Sequence, residues 1–513
     1  MTYLQSNNLI YEHQSGFLPN HSPTSQLTEI THKIASNLKD HNATTVIFAD
    51  ISRAFDRLSH KGLYSKFDLY GFSPQIKDWL LSFLTDRLQC TSVNGTCSDW
   101  AETRAGVPQG SVLGPIMFLL MINDLPSHLQ NDTRLFADDT SILFTHSPTD
   151  DITDTINEEM NRLLTWAETW KIDLNPNKTK CMNITFAINK TIPSPSFNGT
   201  LIEVVNSHKH LGLVINNKLN WDDHIDYLTD KVSRRIGILR LLKFRLTRSC
   251  LRTIYICHIR SLMEYCCTVW DNCTAAQSLT LERLQYASIR IITGQTAYCR
   301  IDNLFRESGL DSLFERRRQQ RLVLLYKSAI LHQTPQYFTD LLPQLRNDPS
   351  VRGDRQINTF APYPVTQIET FLQSFFPKTT KEWNELDLAC RVAPSLSIFK
   401  KLIKPPKIII PRLLELPRYP SILYTRLKYA CSAINAHLHH SNLIPSPQCS
   451  CDTGIEDLFH FLYNCPFYDT QRDLLMFELT EIGLIDLSIP VLFDCERHVP
   501  EDKIDRVQAV IFK

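Results

Sequence analysis

Two short apolar runs that end in aspartate constrain the fold of this chain more than any other feature. Val46-Ile47-Phe48-Ala49 is partly β-branched and ends in Asp50. Leu135-Phe136-Ala137 leads into Asp138-Asp139, and Ser141-Ile142-Leu143-Phe144 then resumes the apolar pattern. Runs of about four to eight such residues, bounded by turn formers, read as buried strands. The first is therefore a strand delivering Asp50 at its end, and the second a hairpin with Asp138 and Asp139 at its tip. An Asp-Asp pair alone is ordinary turn chemistry, because aspartate bonds its own backbone there. Three carboxylates at the ends of buried strands also suit a divalent cation. Magnesium prefers oxygen ligands, commonly one or two carboxylates plus phosphate oxygens, and a pair of such ions stabilises both oxygens of an in-line phosphoryl displacement.

The segments between and after these runs narrow the choice. Asp50-Ile51-Ser52-Arg53-Ala54-Phe55-Asp56 is followed by Ala105-Gly106-Val107-Pro108-Gln109-Gly110-Ser111-Val112-Leu113-Gly114-Pro115 and then by the acidic hairpin. Leu174-Asn175-Pro176-Asn177-Lys178-Thr179-Lys180 comes next, and then His210-Leu211-Gly212 with Leu219, Trp221 and His224-Ile225. This order resembles the reverse-transcriptase domain of LINE-type, non-LTR retrotransposons, the jockey-like group in particular. The resemblance runs from about Gln14 to about Lys327 and more loosely to the C-terminus.

The resemblance implies that Asp50, Asp138 and Asp139 are catalytic carboxylates holding two Mg2+ ions, with Mn2+ as a substitute and the Ile51 carbonyl as an extra ligand. It implies that Phe55 closes the nucleotide pocket on the sugar 2′ side, where its ring would clash with a ribose hydroxyl and favour deoxynucleotides. A core aromatic is the other reading of that position. From its own residues, Gly106 to Ser111 reads as a loop feeding a buried helix, with glycines that permit close backbone approach. The resemblance sets Gln109 and Gly110 against template and incoming nucleotide, and a ligand-free helix cap is the alternative. It brings Lys178 and Lys180 to the triphosphate or template backbone; otherwise they are solvated lysines after a turn. Leu18 follows Gly16-Phe17 where the family usually has arginine, and only thirteen residues precede Gln14. Upstream finger segments and an endonuclease domain are accordingly expected to be missing, as in a 5′-truncated reading frame.

At 513 residues, with 43% hydrophobic and 21% charged content, the chain has material for about three globular domains. Its 54 basic residues balance 54 acidic ones, so nucleic-acid binding has to be local. From Lys231 to Arg260 nine basic residues occur without an Asp or Glu, over the apolar spacing of Ile236, Leu239, Leu242 and Leu246. That pattern reads as a basic helical thumb whose Arg234, Arg235, Lys243 and Arg245 grip phosphates, or as a solvated helix face. Glu315-Arg316-Arg317-Arg318-Gln319-Gln320-Arg321 repeats the theme more weakly. No signal peptide core and no apolar stretch long enough to span a bilayer is present. The chain is expected to be intracellular, without membrane contact, and the resemblance adds nucleus and cytoplasm. Fifteen cysteines in such a chain argue for free thiols or metal ligation. Cys449, Cys451, His460 and Cys465 supply three thiolates and an imidazole, a closed tetrahedral set for structural Zn2+. The C-x-C start is tighter than the common spacing, and scattered thiols are the alternative. The group also resembles the C-terminal cysteine-histidine module of the retrotransposon proteins.

The expectation is an α+β right-hand polymerase: incomplete fingers and palm over 1–225, a helical thumb over 226–340, an irregular proline-marked connector over 341–411, and a C-terminal zinc-binding helical module over 412–513. Its implied activity is RNA-directed DNA synthesis by two-metal nucleotidyl transfer from a DNA 3′-hydroxyl, with RNA template, DNA primer or target and deoxynucleoside triphosphates as partners. The rival reading is a catalytically inactive nucleic-acid-binding relic of such an enzyme.

Overall fold

The computed structural model describes residues 2–347, 357–404, 418–494 and 498–511. The chain has mixed α/β content and forms two compact units, the first made of 1–224, 266–274 and 318–403, the second of 225–265, 275–317 and 404–513.

The first unit is built around a five-stranded sheet. Its strands are β1 (Ala43–Ala49), β2 (Asp132–Phe136), β3 (Asp139–His146), β4 (Lys180–Ile184) and β5 (Glu203–Val204), in the spatial order β5-β4-β1-β3-β2. β1 is central and buried along its whole length, which is why its sequence is apolar or small throughout. It runs antiparallel to β3, from Ala43 opposite His146 to Ala49 opposite Thr140, and antiparallel to β4, from Thr44 opposite Ile184 to Phe48 opposite Lys180. Alternation along the strands divides the sheet into two faces. Ile47, Ala49, Leu135, Ile142, Phe144 and Cys181 enter one core with the Leu113–Ile122 and Thr153–Trp170 helices. The first of these helices is apolar nearly all round and buried from Met117 to Ile122, so it has no solvent face to declare a helical period. On the opposite face Phe48 stacks on His208 and leans on His210, at centroid distances of 4.3 and 5.0 Å. Those histidines belong to β6 (Ser207–His210), which pairs with β7 (Leu213–Asn216) across a two-residue turn of Leu211 and Gly212, both at positive φ.

The segment expected to be an irregular connector is folded where it is described. Tyr337, Phe338, Phe360, Phe375, Phe376, Trp383 and Phe399 form one apolar cluster with Leu322, Leu325 and Tyr326. His32 of the Pro23–Lys39 helix packs among Tyr363, Phe371 and Phe376. The prolines at 343, 362 and 364 punctuate short elements there, and aromatic burial outweighs their effect. Pro349 and nearly all of the second proline stretch, from 405 to 411, lie outside the described residues. Of residues 226–340, 266–274 and 318–340 belong to the sheet unit and the rest to the second unit.

The second unit is helical. Its C-terminal part closes over Tyr424, Leu479, Leu492, Phe493, Ile504 and Val507. Among the described residues no helix is long and apolar enough to cross a membrane.

Candidate active site

Asp50 directly follows β1, and Asp139 opens β3. Because Ala49 is opposite Thr140 and Phe136 is opposite Asp139, one further step of the same register sets Asp50 across from Asp139, with Asp138 in the adjoining turn. The turn contains only Ala137 and Asp138, and Ala137 takes φ +56°. An alanine in that conformation needs support. Gln14 supplies it, its Oε1 accepting from the Ala137 N–H at 3.1 Å and from the Gly16 N–H at 2.8 Å. Gly16 passes so close that a Cβ would lie 2.4 Å from the Ala137 nitrogen, which leaves glycine as the residue that fits. Ser15 N–H donates to the Leu135 carbonyl and Leu135 N–H to that of His13, so the Gln14 segment clamps the acidic hairpin from outside.

The three carboxylates act on one another. Burial at the sheet end raises Asp138, its own backbone opposes the rise and the Asp50 charge adds to it. Asp139 is pushed up to about 6, first by desolvation and then by the charges of Asp138 and Asp50. Its side chain nonetheless reaches solvent, so mutual repulsion is the part of this shift that a bound cation would relieve. Asp50 also has a cationic neighbour, with Lys178 Nζ 3.9 Å from its Oδ2.

Around this edge, Phe55 is half-buried, stacked on Phe118 at 4.6 Å and edge-on to Phe17 at 6.1 Å. It is a packed aromatic five residues beyond Asp50. The loop ahead of the Leu113–Ile122 helix docks on the same segment: Val107 N–H donates to Phe55 O, Gly106 N–H to Leu58 O, and Gln109 Nε2 to Asp56 Oδ1 at 2.8 Å. Gly106 is at φ +84°, and a Cβ built on it would lie 2.5 Å from the Asp56 carbonyl oxygen. Gly110, also at positive φ, has open space around its Cα. Beyond Asp50 the chain makes an isolated bridge to Leu174, in which Asp50 O accepts from Asn175 and Asp173 O from Ser52, and Arg57 pairs with Asp173. The bridge thus uses the carbonyl of Asp50 and not that of Ile51. Lys180 donates to Glu203 at 2.6 Å and to the Asn177 carbonyl. Sequence reasoning missed Gln14, Asp56 and Asp173 as supports. Only the Gly16-Phe17 pair hinted at the first.

In the second unit the basic run separates into two groups. Arg234 and Arg245 are exposed, Arg235 donates to the His258 carbonyl, and Lys243 sits over the Phe244 ring at 4.6 Å. Arg248 is fully buried in an ion pair with Glu307 at 2.9 Å, Arg252 caps the Ser308 and Gly309 carbonyls, and Arg260 joins Glu264. Those three are structural.

Among the described residues the one group of His, Cys, Asp or Glu whose ligand atoms already lie within 4.8 Å of one another is Cys449, Cys451, His460 and Cys465. The three aspartates are not drawn together to that degree. Cys449 Sγ is 3.8 Å from Cys465 Sγ, close to the edge of a tetrahedron with zinc–sulfur bonds of about 2.3 Å, and Cys451 Sγ is 3.2 Å from His460 Nε2. The Gln448–Ile455 bridge closes the knuckle, and Asp457 caps the turn carrying His460 through its N–H at 2.7 Å. The C-x-C thiols are unlike: the Thr453 hydroxyl draws Cys451 down to about 6, whereas burial pushes Cys449 up to about 11.

Comparison with known proteins shows what this chain is similar to. Residues 1–229 match the model of the reverse transcriptase (RNA-dependent DNA polymerase) family. The chain is 27% identical over 319 residues to the probable RNA-directed DNA polymerase from transposon BS of Drosophila melanogaster, covering 60% of this chain and 35% of that protein. It is 29% identical over 313 residues to the RNA-directed DNA polymerase from mobile element jockey of the same fly, covering 58% and 34%. It is 28% identical over 332 residues to the probable RNA-directed DNA polymerase from transposon X-element, covering 61% and 35%. The matched stretch thus spans about a third of each of these relatives. A solved telomerase of Candida albicans, in complex with a fragment of telomeric RNA, overlays at 14% identity and TM-score 0.32 over 66% of this chain and 51% of that one, a likeness too slight to bear on the fold.

Proposed function

Since residues 1–229 carry a reverse transcriptase domain of the LINE-type, non-LTR kind, we propose that this chain extends a DNA 3′-hydroxyl on an RNA template, using deoxynucleoside triphosphates. The observation that carries the proposal is the register of β1 and β3, which brings Asp50 to Asp138 and Asp139 at one end of a buried sheet. Burial raises the carboxyls of Asp138 and Asp139 and neighbouring carboxylate charge adds to the rise, which supports a shared cation site. Magnesium held there supplies charge stabilisation for the attacking and leaving oxygens. The protein's own part is positioning and electrostatics. Gln14 and Gly16 fix the acidic turn, and Phe55, backed by Phe118, forms the wall on the sugar 2′ side. The loop from Gly106 to Gly110, tied to Phe55, Asp56 and Leu58, presents Gln109 and Gly110 to template and nucleotide. Lys178 serves the triphosphate, and the Ile51 carbonyl is an additional metal ligand. Arg234, Arg235, Lys243 and Arg245 hold the nucleic-acid backbone. Cys449, Cys451, His460 and Cys465 hold one zinc ion that has no open position for water and folds its knuckle. In the assignment of regions, the fingers remnant and palm take 1–225, the helical thumb 226–340, the connector 341–411 and the zinc-binding module 412–513.

Primer extension by the purified chain on an RNA template tests the reading. Extension is expected with magnesium, and Asp138→Asn is expected to reduce it to background while primer-template binding persists. Extension retained by that variant would return the pair to turn chemistry. Binding without extension by the parent chain would favour the inactive nucleic-acid-binding relic.

A further inference from the structure

The second unit holds a cleft of about 540 Å³ between the end of the Asp222–Leu242 helix, the C-terminal end of the Ala275–Thr293 helix and the start of the Arg418–Lys428 helix. That is within the range of sites that take small ligands, about 300–1,000 Å³. Among the described residues its lining includes four cations, Lys243, Arg290, Arg418 and Arg426, and no carboxylate. Three of them have a local structural task. Arg418 donates to the Ile291 and Ile292 carbonyls and so caps the Ala275–Thr293 helix, while Arg426 donates to the Gly294 carbonyl at 2.9 Å and Arg290 to that of Thr296 at 3.3 Å, tying down the turn beyond it. A helix end carries only about half a negative charge, which leaves the cleft strongly positive.

Helix capping does not account for the other lining groups. Tyr419 is 73% exposed and Phe244 81%, two rings left in solvent beside the cations. Gln295 is 5% exposed, lines the cleft, and has no partner among the described residues for either its amide oxygen or its amide nitrogen. Buried amides are almost always bonded, so this one calls for a ligand or a water. The turn presenting it is fixed: Gly294 has φ +74°, and its Cβ would fall 2.3 Å from the Ile422 side chain.

A side-by-side donor and acceptor matches the edge of a nucleobase, an exposed ring matches its face, and the cations match its phosphate. We propose that this cleft binds one unpaired nucleotide of a single-stranded nucleic acid, with its base on Tyr419 and Gln295 and its phosphate on Lys243 and Arg426. The source of such a strand rests on the polymerase reading above, but the binding itself does not depend on catalysis.

The test measures binding of the full chain to fluorescent single-stranded RNA and DNA of about fifteen nucleotides and to a blunt duplex of equal length. Tyr419→Ala is expected to weaken single-strand binding about tenfold, the value of one stacked base, and to leave duplex binding unchanged. Tyr419→Phe, which keeps the stacking face, is expected to bind like the parent. Gln295→Glu, which replaces the donor by an acceptor, is expected to reorder affinities among the four homopolymers. A preference for RNA or for DNA identifies which strand is held, equal binding of both shows that the site does not discriminate the sugar, and each supports the site. Equal weakening for single strand and duplex would overturn it in favour of a general electrostatic face, as would variants indistinguishable from the parent. Tyr419-dependent binding of a phosphopeptide without a single-strand effect would also overturn it. A parent chain that fails to extend primers but shows the predicted pattern would sink the polymerase reading and leave this site standing.

Discussion

Glu29 and Arg134 form a buried pair between the Pro23–Lys39 helix and β2, the strand that ends at the acidic turn. Arg134 Nε and Nη2 donate to the two Glu29 oxygens at 2.8 and 2.7 Å, and both side chains are about 95% removed from solvent. Replacing Glu29 by alanine leaves Arg134 with only its bond to the Thr133 carbonyl. Two charge-assisted bonds, at about 1.5–3 kcal/mol each, and a stranded buried cation agree on a loss of about 3–5 kcal/mol. This corresponds to roughly a 150- to 5,000-fold rise in the unfolding constant. The pair itself is a different quantity. Glu29→Leu combined with Arg134→Met removes both charges and should recover most of that loss, since well-packed apolar replacements of buried pairs are often neutral. Urea unfolding of the full chain, with hydrogen exchange followed in the peptide from Asp132 to His146, measures both quantities where they matter for Asp138. A loss below about 1 kcal/mol in Glu29→Ala, or a double variant no better than the single, would refute the reasoning.

Further outcomes follow from other parts of the molecule. Burial lowers His13 and His210 to about 3 and His21, His32 and His224 to about 4. Their unfolded forms take up protons below about pH 6.5, so stability should fall as pH falls from there toward the lowered values, by about 1.4 kcal/mol per pH unit for each histidine; urea midpoints unchanged between pH 6 and 5 would contradict this. Neutralising Arg234, Arg235, Lys243 and Arg245 together should flatten the salt dependence of duplex binding by about 0.9 per lost phosphate contact, whereas Arg248→Met should chiefly destabilise the second unit, and a salt slope altered only by Arg248 would reverse the assignment. Cys465→Ser should lower zinc in the purified, reduced protein from one equivalent to none, and a metal-free parent protein would show the four groups to be ordinary thiols and an imidazole. Phe55→Ala should raise incorporation of ribonucleotides relative to deoxynucleotides in primer extension, while an unchanged ratio would make that ring a packing residue only.

The sheet and the acidic turn were legible because their signals are local. β1 is short, continuously apolar and followed at once by Asp50, and the two hairpin arms flank a two-residue turn. The cysteine-histidine knuckle was legible for the same reason, its four ligands falling within seventeen consecutive residues. The clamp on the turn was not legible, since Gln14 reaches Ala137 across more than a hundred residues and a lone glutamine carries no spacing signal. Nor was the packing of the segment after Pro343. Its prolines suggested a linker, while its aromatics lie at intervals that fit neither a helical nor a strand period and are brought together only by tertiary folding.

Charge runs are the least legible feature of the chain, and the stretch from Lys231 to Arg260 shows why. Sequence sees nine cations in a row without an acid, but a buried arginine finds its counter-charge wherever the fold supplies one. For Arg248 that is Glu307, fifty-nine residues away, with Thr425 bonded to both. Arg252 turns to backbone carbonyls that no charge count records. What remains for a polyanion is the subset whose heads stay in solvent. At Lys243 that subset adjoins Arg290 and Arg426, residues far apart in sequence that no run would have joined. A local excess of charge therefore marks where a chain can afford cations, and only burial and partners separate those that hold the fold from those left to hold a ligand.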